Sequence, residues 1–280
     1  MFGIFYAKIF SEGEIFLTEY RIIDAHTHIY PDKIAEKAGE AIGSFYGVPM
    51  FHTGTAEELI KSGEKINVDR FLVCSAATTA KQVMSINDFI IYECAQHKKF
   101  IGFGSMHPDF EDIDRELKRI KAAGLNGVKL HPDFQQFLID DPKALPMWRA
   151  IQDNGMFALV HTGDAKLPFS DPRRMAALLE ELPNLKIIAA HFGGYQVWKL
   201  AYEAYKPGSC FFDISSSIMF MEKKLVFKFF DKFGIENFFW GTDFPSQDHE
   251  IELNRFFGLG LSEEQNRMLL GENFARVMGI

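Results

Sequence analysis

The chain has 280 residues, 47% of them hydrophobic, and a formal net charge of −8. That is enough chain for one large domain with a sizeable core, and an acidic balance without a long basic run speaks against a nucleic-acid surface. No stretch reaches the roughly 18 consecutive apolar residues that a spanning helix needs, so a membrane is not an expected partner either.

Residues 1–20 open with MFGIFYAKIF. They lack a basic leader and a small-residue cleavage site, so no signal peptide is expected. Ile4, Tyr6 and Lys8 alternate with Phe5, Ala7 and Ile9, and Glu12-Gly13 precedes IFLT. This pattern predicts a β-hairpin extension that caps a barrel bottom or joins a homodimer contact.

From residue 21 to 280, short apolar runs alternate with longer amphipathic stretches. The runs are 21–26 (RIIDAH), 70–75 (RFLVCS), 100–106 (FIGFGSM), 127–131 (GVKLH), 157–161 (FALVH), 186–191 (KIIAAH), 210–214 (CFFDI) and 237–241 (NFFWG). Helical patterns precede the second to eighth runs, and a last one, 263–278, closes the chain. Runs that are apolar throughout suit parallel strands buried on both faces. Eight such units without a Pro-, Gly- or Ser-rich linker predict an α/β fold, a closed (β/α)₈ TIM barrel, over an open doubly wound sheet. No GxGxxG follows the first run, which weighs against dinucleotide binding. The long insertion at 31–55 is the expected lid or specificity loop. Cys74, Cys94 and Cys210 form no CxxC pattern and read as thiols in a reducing cytosol, so a cytoplasmic protein is expected.

Of nine histidines, His26, His28, His107, His131, His161 and His191 fall at the ends of predicted strands. In a barrel all these ends open on one face, where active sites are built. Strand alternation puts His26 and His28 on one side, where they can share a metal. The eighth run leads into Thr242-Asp243, so barrel closure brings the Asp243 carboxylate beside the first strand. His161 and His191 come from the opposite arc. Nitrogen and carboxylate donors with an open position suit one divalent metal, zinc first, with manganese, iron and cobalt as alternatives.

The segments IIDAHTHIYP, GVKLHP, LVHTGD, IIAAHFGG, FWGTDFP and LLGENFARVMGI resemble the amidohydrolase superfamily. The resemblance is closest to its amidohydrolase-related branch of aminocarboxymuconate-semialdehyde decarboxylase-like enzymes, and it covers 21–280. It implies a distorted barrel, metal ligation by His26, His28, His161 and Asp243, and a catalytic role for His191. In binuclear members a lysine at the end of strand four is carboxylated and bridges two metals. Lys129 stands at that place. Carboxylation would leave His26, His28 and Asp243 on one metal and put His161 and His191 on a second, with Lys129 bridging the two. Two other readings stay open: an ammonium that binds a substrate carboxylate, or an ion-paired lysine at a strand end.

Asp243 and His191 are thus the expected catalytic pair, one accepting a proton from water beside the metal and the other serving as acid or base. Lys129, His131 and Arg174 are expected to bind substrate, with Arg174 offering a forked contact to a carboxylate. Phe134, Phe137, Phe169, Tyr195 and Phe244 are candidates for an apolar wall. The leading expectation is a metal-dependent hydrolase of a small carboxylated or cyclic substrate. The runner-up is a non-oxidative decarboxylase or hydratase, and a non-catalytic binding protein is a third reading.

Overall fold

The structure, a computed structural model, describes residues 20–280. The expected N-terminal hairpin lies outside the described residues, apart from Tyr20.

Eight parallel strands run in sequence order around one sheet. They are Ile22–His28 (β1), Val68–Cys74 (β2), Phe100–Ser105 (β3), Gly127–Leu130 (β4), Phe157–Val160 (β5), Lys186–Ala189 (β6), Phe211–Asp213 (β7) and Phe238–Phe239 (β8). The ring closes through main-chain bonds from Ala25 N to Trp240 O, Asp243 N to His26 O and His28 N to Phe244 O, at 2.7–3.0 Å. The fold is therefore a (β/α)₈ TIM barrel, as expected.

The α-helices of five residues or more are Asp32–Tyr46 (α1), Ala56–Glu64 (α2), Val83–Gln96 (α3), Ile113–Ala122 (α4), Leu145–Asp153 (α5) and Pro172–Glu181 (α6). Trp198–Ala204 (α7), Lys223–Phe233 (α8), His249–Phe257 (α9), Glu263–Arg267 (α10) and Asn273–Met278 (α11) follow. The 31–55 insertion holds α1, which is anchored by little burial: only Ala35 and Gly39 are fully covered. The stretch expected as one helix from 263 to 278 carries a π-turn at Met268–Glu272. The turn frees the Leu269 carbonyl, which accepts from Trp240 N at 2.9 Å. Gly271 makes the turn fit, since a Cβ there would sit 2.1 Å from the Arg21 carbonyl oxygen.

Alternation divides the strand residues between two apolar clusters. Ile23, Leu72, Phe103, Leu159, Ile188 and Phe239 share one, which fills the barrel. Ile22, Phe71, Val128, Ile187, Phe212 and Phe238 share the other, between strands and helices. In β1 this alternation breaks. The register against β2 shifts between Asp24 and Thr27. Ile23 and Ala25 both face the barrel interior, so unbroken alternation would turn His26 and His28 outward. The bulge re-aims both imidazoles into the barrel, a use of bulges common next to active sites.

Candidate metal centre

His26 Nε2 lies 3.1 Å from His28 Nε2. Asp243 Oδ1 lies 3.5 Å from the first nitrogen and 3.4 Å from the second. Donors bound at about 2.1 Å to one ion, at angles between octahedral and tetrahedral, lie roughly 3.0–3.4 Å apart. The triangle therefore has the size of a metal's coordination face. Two imidazole lone pairs at this distance also need a cation or a proton between them.

The backbone supports the triangle. His26 Nδ1 faces Asp213 Oδ2 at 3.0 Å, at the end of β7. A carboxylate there takes the Nδ1 proton, which leaves the Nε2 lone pair free for a metal. Asp213 Oδ1 also accepts from His191 N at 3.2 Å and from Ser215 N at 3.0 Å. On the other side of β1, Asp24 accepts from His26 N at 3.1 Å, Thr242 N at 3.0 Å and Thr242 Oγ1 at 2.5 Å. Asp24 thus clamps together the two strand ends that carry the donors. Asp243 holds a left-handed backbone with φ of 62°, and His191 one of 59°. Such strain in non-glycine residues is retained where the surroundings hold the residue for function.

Charge at the site follows the same geometry. Burial alone would raise the Asp243 carboxyl, but His26, His28 and His191 outweigh it and hold the pKa well below the usual carboxylate range. Burial pulls His28 down, yet Cys74 and Asp243 outweigh it and lift the ring to about 9. His26 is pushed well below its usual value by burial, with Lys129 adding to the effect.

His191 lies where a catalytic residue is expected. Its Nδ1 is 3.0 Å from the Ser215 carbonyl oxygen and its ring centroid 5.2 Å from that of His26. The carbonyl keeps the proton on Nδ1, and Nε2 has no hydrogen-bond partner among the described residues. His26, His191 and Asp213 form a second group of convergent donors. Ser215 Oγ already bridges that group, at 3.1 Å from both histidine Nδ1 atoms.

His161 stands outside the converged triangle. The donors that converge around His26 and His28 include Asp243 but not His161. His161 Nε2 lies 3.0 Å from the Gly163 carbonyl oxygen and 3.3 Å from the Tyr46 hydroxyl. The carbonyl calls for a proton on Nε2, so Nδ1 keeps the lone pair. The His161 ring stacks on His131 with centroids 4.0 Å apart. Gly163 allows this loop its course: its φ is 87°, and a Cβ would meet the Gly194 carbonyl carbon at 2.4 Å.

Lys129 is buried at the end of β4, with Nζ 2.9 Å from His26 Nε2. Burial pulls its pKa below the usual lysine value, against the pull of Cys74, Asp243 and Asp213. His131 Nδ1 accepts from Phe134 N at 3.3 Å, so its Nε2 carries the proton that faces Tyr46 Oη at 2.9 Å. Arg174 stands apart. Its guanidinium pairs with Asp140 at 2.6 Å and donates to the Pro168 carbonyl at 3.1 Å. It does not line the central cavity, and its fork is engaged in a local ion pair. Of the five aromatic residues expected to form the wall, Phe134 and Tyr195 line the cavity, Phe137 and Phe244 are buried in the core, and Phe169 is half-buried away from the cavity.

Three contributors escaped the sequence reading. Asp213 was legible as a carboxylate at the end of an apolar run. Ser215 and Tyr46 carried no signal, since only the fold brings them to the histidines. Above the centre opens a cavity of about 940 Å³ lined by His28, Lys129, His131, His161, His191 and Asp243, together with residues of α1 and α3.

The family model described as amidohydrolase matches residues 23–280. This chain belongs to the amidohydrolase family. No curated protein matches it. Among solved structures, it resembles 5-carboxyvanillate decarboxylase from Sphingomonas paucimobilis, at 18% identity and a TM-score of 0.70, over 93% of this chain and 99% of that one. It also resembles dihydroxybenzoic acid decarboxylase from a Polaromonas species with bound manganese, at 14% identity and a TM-score of 0.71, over 93% and 97%. A probable 2-pyrone-4,6-dicarboxylic acid hydrolase from Acinetobacter baumannii gives 16% and 0.70, over 93% and 100%. At these identities the likeness establishes the shared barrel.

Proposed function

We propose that the amidohydrolase barrel of this chain is a metal-dependent enzyme that acts on a carboxylated small molecule. Non-oxidative decarboxylation is the reading the site supports best. The observation that carries it is the His26–His28–Asp243 triangle at the floor of a cavity whose walls are mainly apolar. Apolar walls favour loss of a carboxylate, because its charge disperses as carbon dioxide departs. Decarboxylases among the similar structures support the same reading.

In this proposal His26, His28 and Asp243 hold the metal, with His161 as a fourth ligand through Nδ1. Two imidazoles and a carboxylate suit zinc, the first choice, and also manganese, which three of the similar decarboxylase structures contain. The metal supplies a positive charge that anchors a carboxylate and a neighbouring oxygen and lowers the pKa of water. Lys129 and His131 bind the substrate's oxygens. His191, carrying a second proton on Nε2 as the imidazolium, delivers that proton to the carbon that loses its carboxylate and is left as the neutral Nδ1–H imidazole. The C–C bond breaks, carbon dioxide leaves, and the proton takes its place.

Hydrolysis is the second reading, favoured by Asp243. Its carboxylate, held ionised beside the donors, accepts a proton from an attacking water. Incubation of manganese-loaded protein with 2,6-dihydroxybenzoate and with a pyrone dicarboxylate separates the two. Carbon dioxide release supports decarboxylation, and acid release from the lactone supports hydrolysis. A sample that binds no divalent metal after supplementation refutes both.

A further inference from the structure

The cavity of about 940 Å³ is large for the metal-centred reaction alone. At about 30 Å³ for a water-sized group it has room for on the order of thirty non-hydrogen atoms, whereas a hydroxybenzoate has about ten. The surplus lies away from the metal and has a definite chemistry.

One wall is the stripe Ile34, Ala38, Ala41, Ile42 and Phe45 of α1. These positions span about 100° of the helix, the width of a face that normally packs on a core. This helix packs on the protein with the adjacent edge instead. Ala35 and Gly39 are buried there, and a Cβ on Gly43 would touch the Val48 carbonyl oxygen at 2.8 Å. The apolar stripe therefore faces open cavity. Ile86 and Phe89 of α3 and Met50 line the same cavity. Ile34, Phe45 and Phe51 remain 45%, 42% and 46% exposed, which costs free energy unless a ligand covers them.

Charge is confined. Lys129, Asp133 and Asp243 stand beside the histidines, Arg255 is paired with Glu252, and Lys33 is exposed on the first turn of α1. Tyr46, at the inner end of α1, marks the border through its hydroxyl contacts to His131 and His161. The cavity thus has one polar end and one apolar arm.

We propose that the site takes an acid with a single polar head and an extended apolar substituent, its head at the metal and its tail along the α1 stripe. This deepens the function proposed above and rests on it for the head alone. A second carboxylate at the far end would find no buried cation. Ile42, Met50 and Phe89 are the specificity-determining residues.

The test is calorimetric titration of the full chain with 2-hydroxybenzoate and its 6-propyl, 6-pentyl and 6-heptyl derivatives, with and without manganese. Burying a methylene contributes about 0.8 kcal/mol, a factor of about four, so a dissociation constant falling twofold to fourfold per methylene is expected. Ile42→Gln, checked for folding by circular dichroism, is expected to flatten the slope, as is Met50→Gln. A wild-type series that is flat or weakens with length overturns the proposal. The tail slope without any manganese dependence upholds the apolar arm and overturns the metal-bound head. Manganese-dependent binding with a flat slope does the reverse.

Discussion

The two sides of the barrel mouth are built on different plans. On the β1–β7–β8 side, each donor has a buried partner behind it. Asp213 holds His26, Asp24 joins β1 to Thr242, and Ser215 joins His26 to His191. On the β4–β5 side, His131 and His161 stack on each other and meet a tyrosine from a thinly anchored helix. The first side presents donors already converged. The second side is tied to the cover of the cavity. A rigid half and an adaptable half suit a site that must hold an ion constantly and a substrate transiently.

The sharpest way to break this comparison is to remove a converged donor. His26→Ala is expected to abolish nearly all metal binding, read by elemental analysis of purified protein. Next, His191→Gln should retain metal and lose about 10²- to 10⁴-fold in turnover, the usual contribution of a proton-transfer group. Loss of a metal equivalent would instead support a binuclear centre with carboxylated Lys129. Asp213→Asn is expected to weaken metal affinity by about 10- to 100-fold, since it removes the carboxylate that orients His26. His161→Ala should retain more metal than His26→Ala. Equal loss would mean that His161, the fourth ligand proposed above, holds the ion as firmly as the converged donors.

A smaller effect concerns pH. His28, lifted to about 9 in the metal-free chain, carries a proton at neutral pH that an incoming ion must displace. Metal affinity should rise by about tenfold per pH unit up to about 9 and then level off, as measured by competition with a chelator. The raised pKa also stabilises the metal-free fold below 6.5, the ordinary value, and that stabilisation is lost as pH rises through about 9. Arg174→Ala should change least, with stability within about 0.5 kcal/mol and substrate affinity unaltered. A large loss of affinity would restore Arg174 to the site.

The amino-acid sequence by itself determined the barrel, because eight continuous apolar runs separated by amphipathic stretches leave few other ways to bury both faces of a parallel sheet. It also determined where the polar chemistry gathers, since histidines at strand ends share the open face. The direction of those histidines was decided only by tertiary structure. A bulge in β1, visible only in its pairing with β2, turns His26 and His28 inward. Arg174 found Asp140 nearby in space, a partner 34 positions away that no local pattern names. His161 was drawn to a carbonyl two residues on and to a tyrosine from the other side of the cavity. The π-turn at 268–272 answers to Arg21 and Trp240, which lie far from it in sequence. Periodicity records which faces are buried, while the aim of a side chain depends on register, bulges and partners supplied by other parts of the ring.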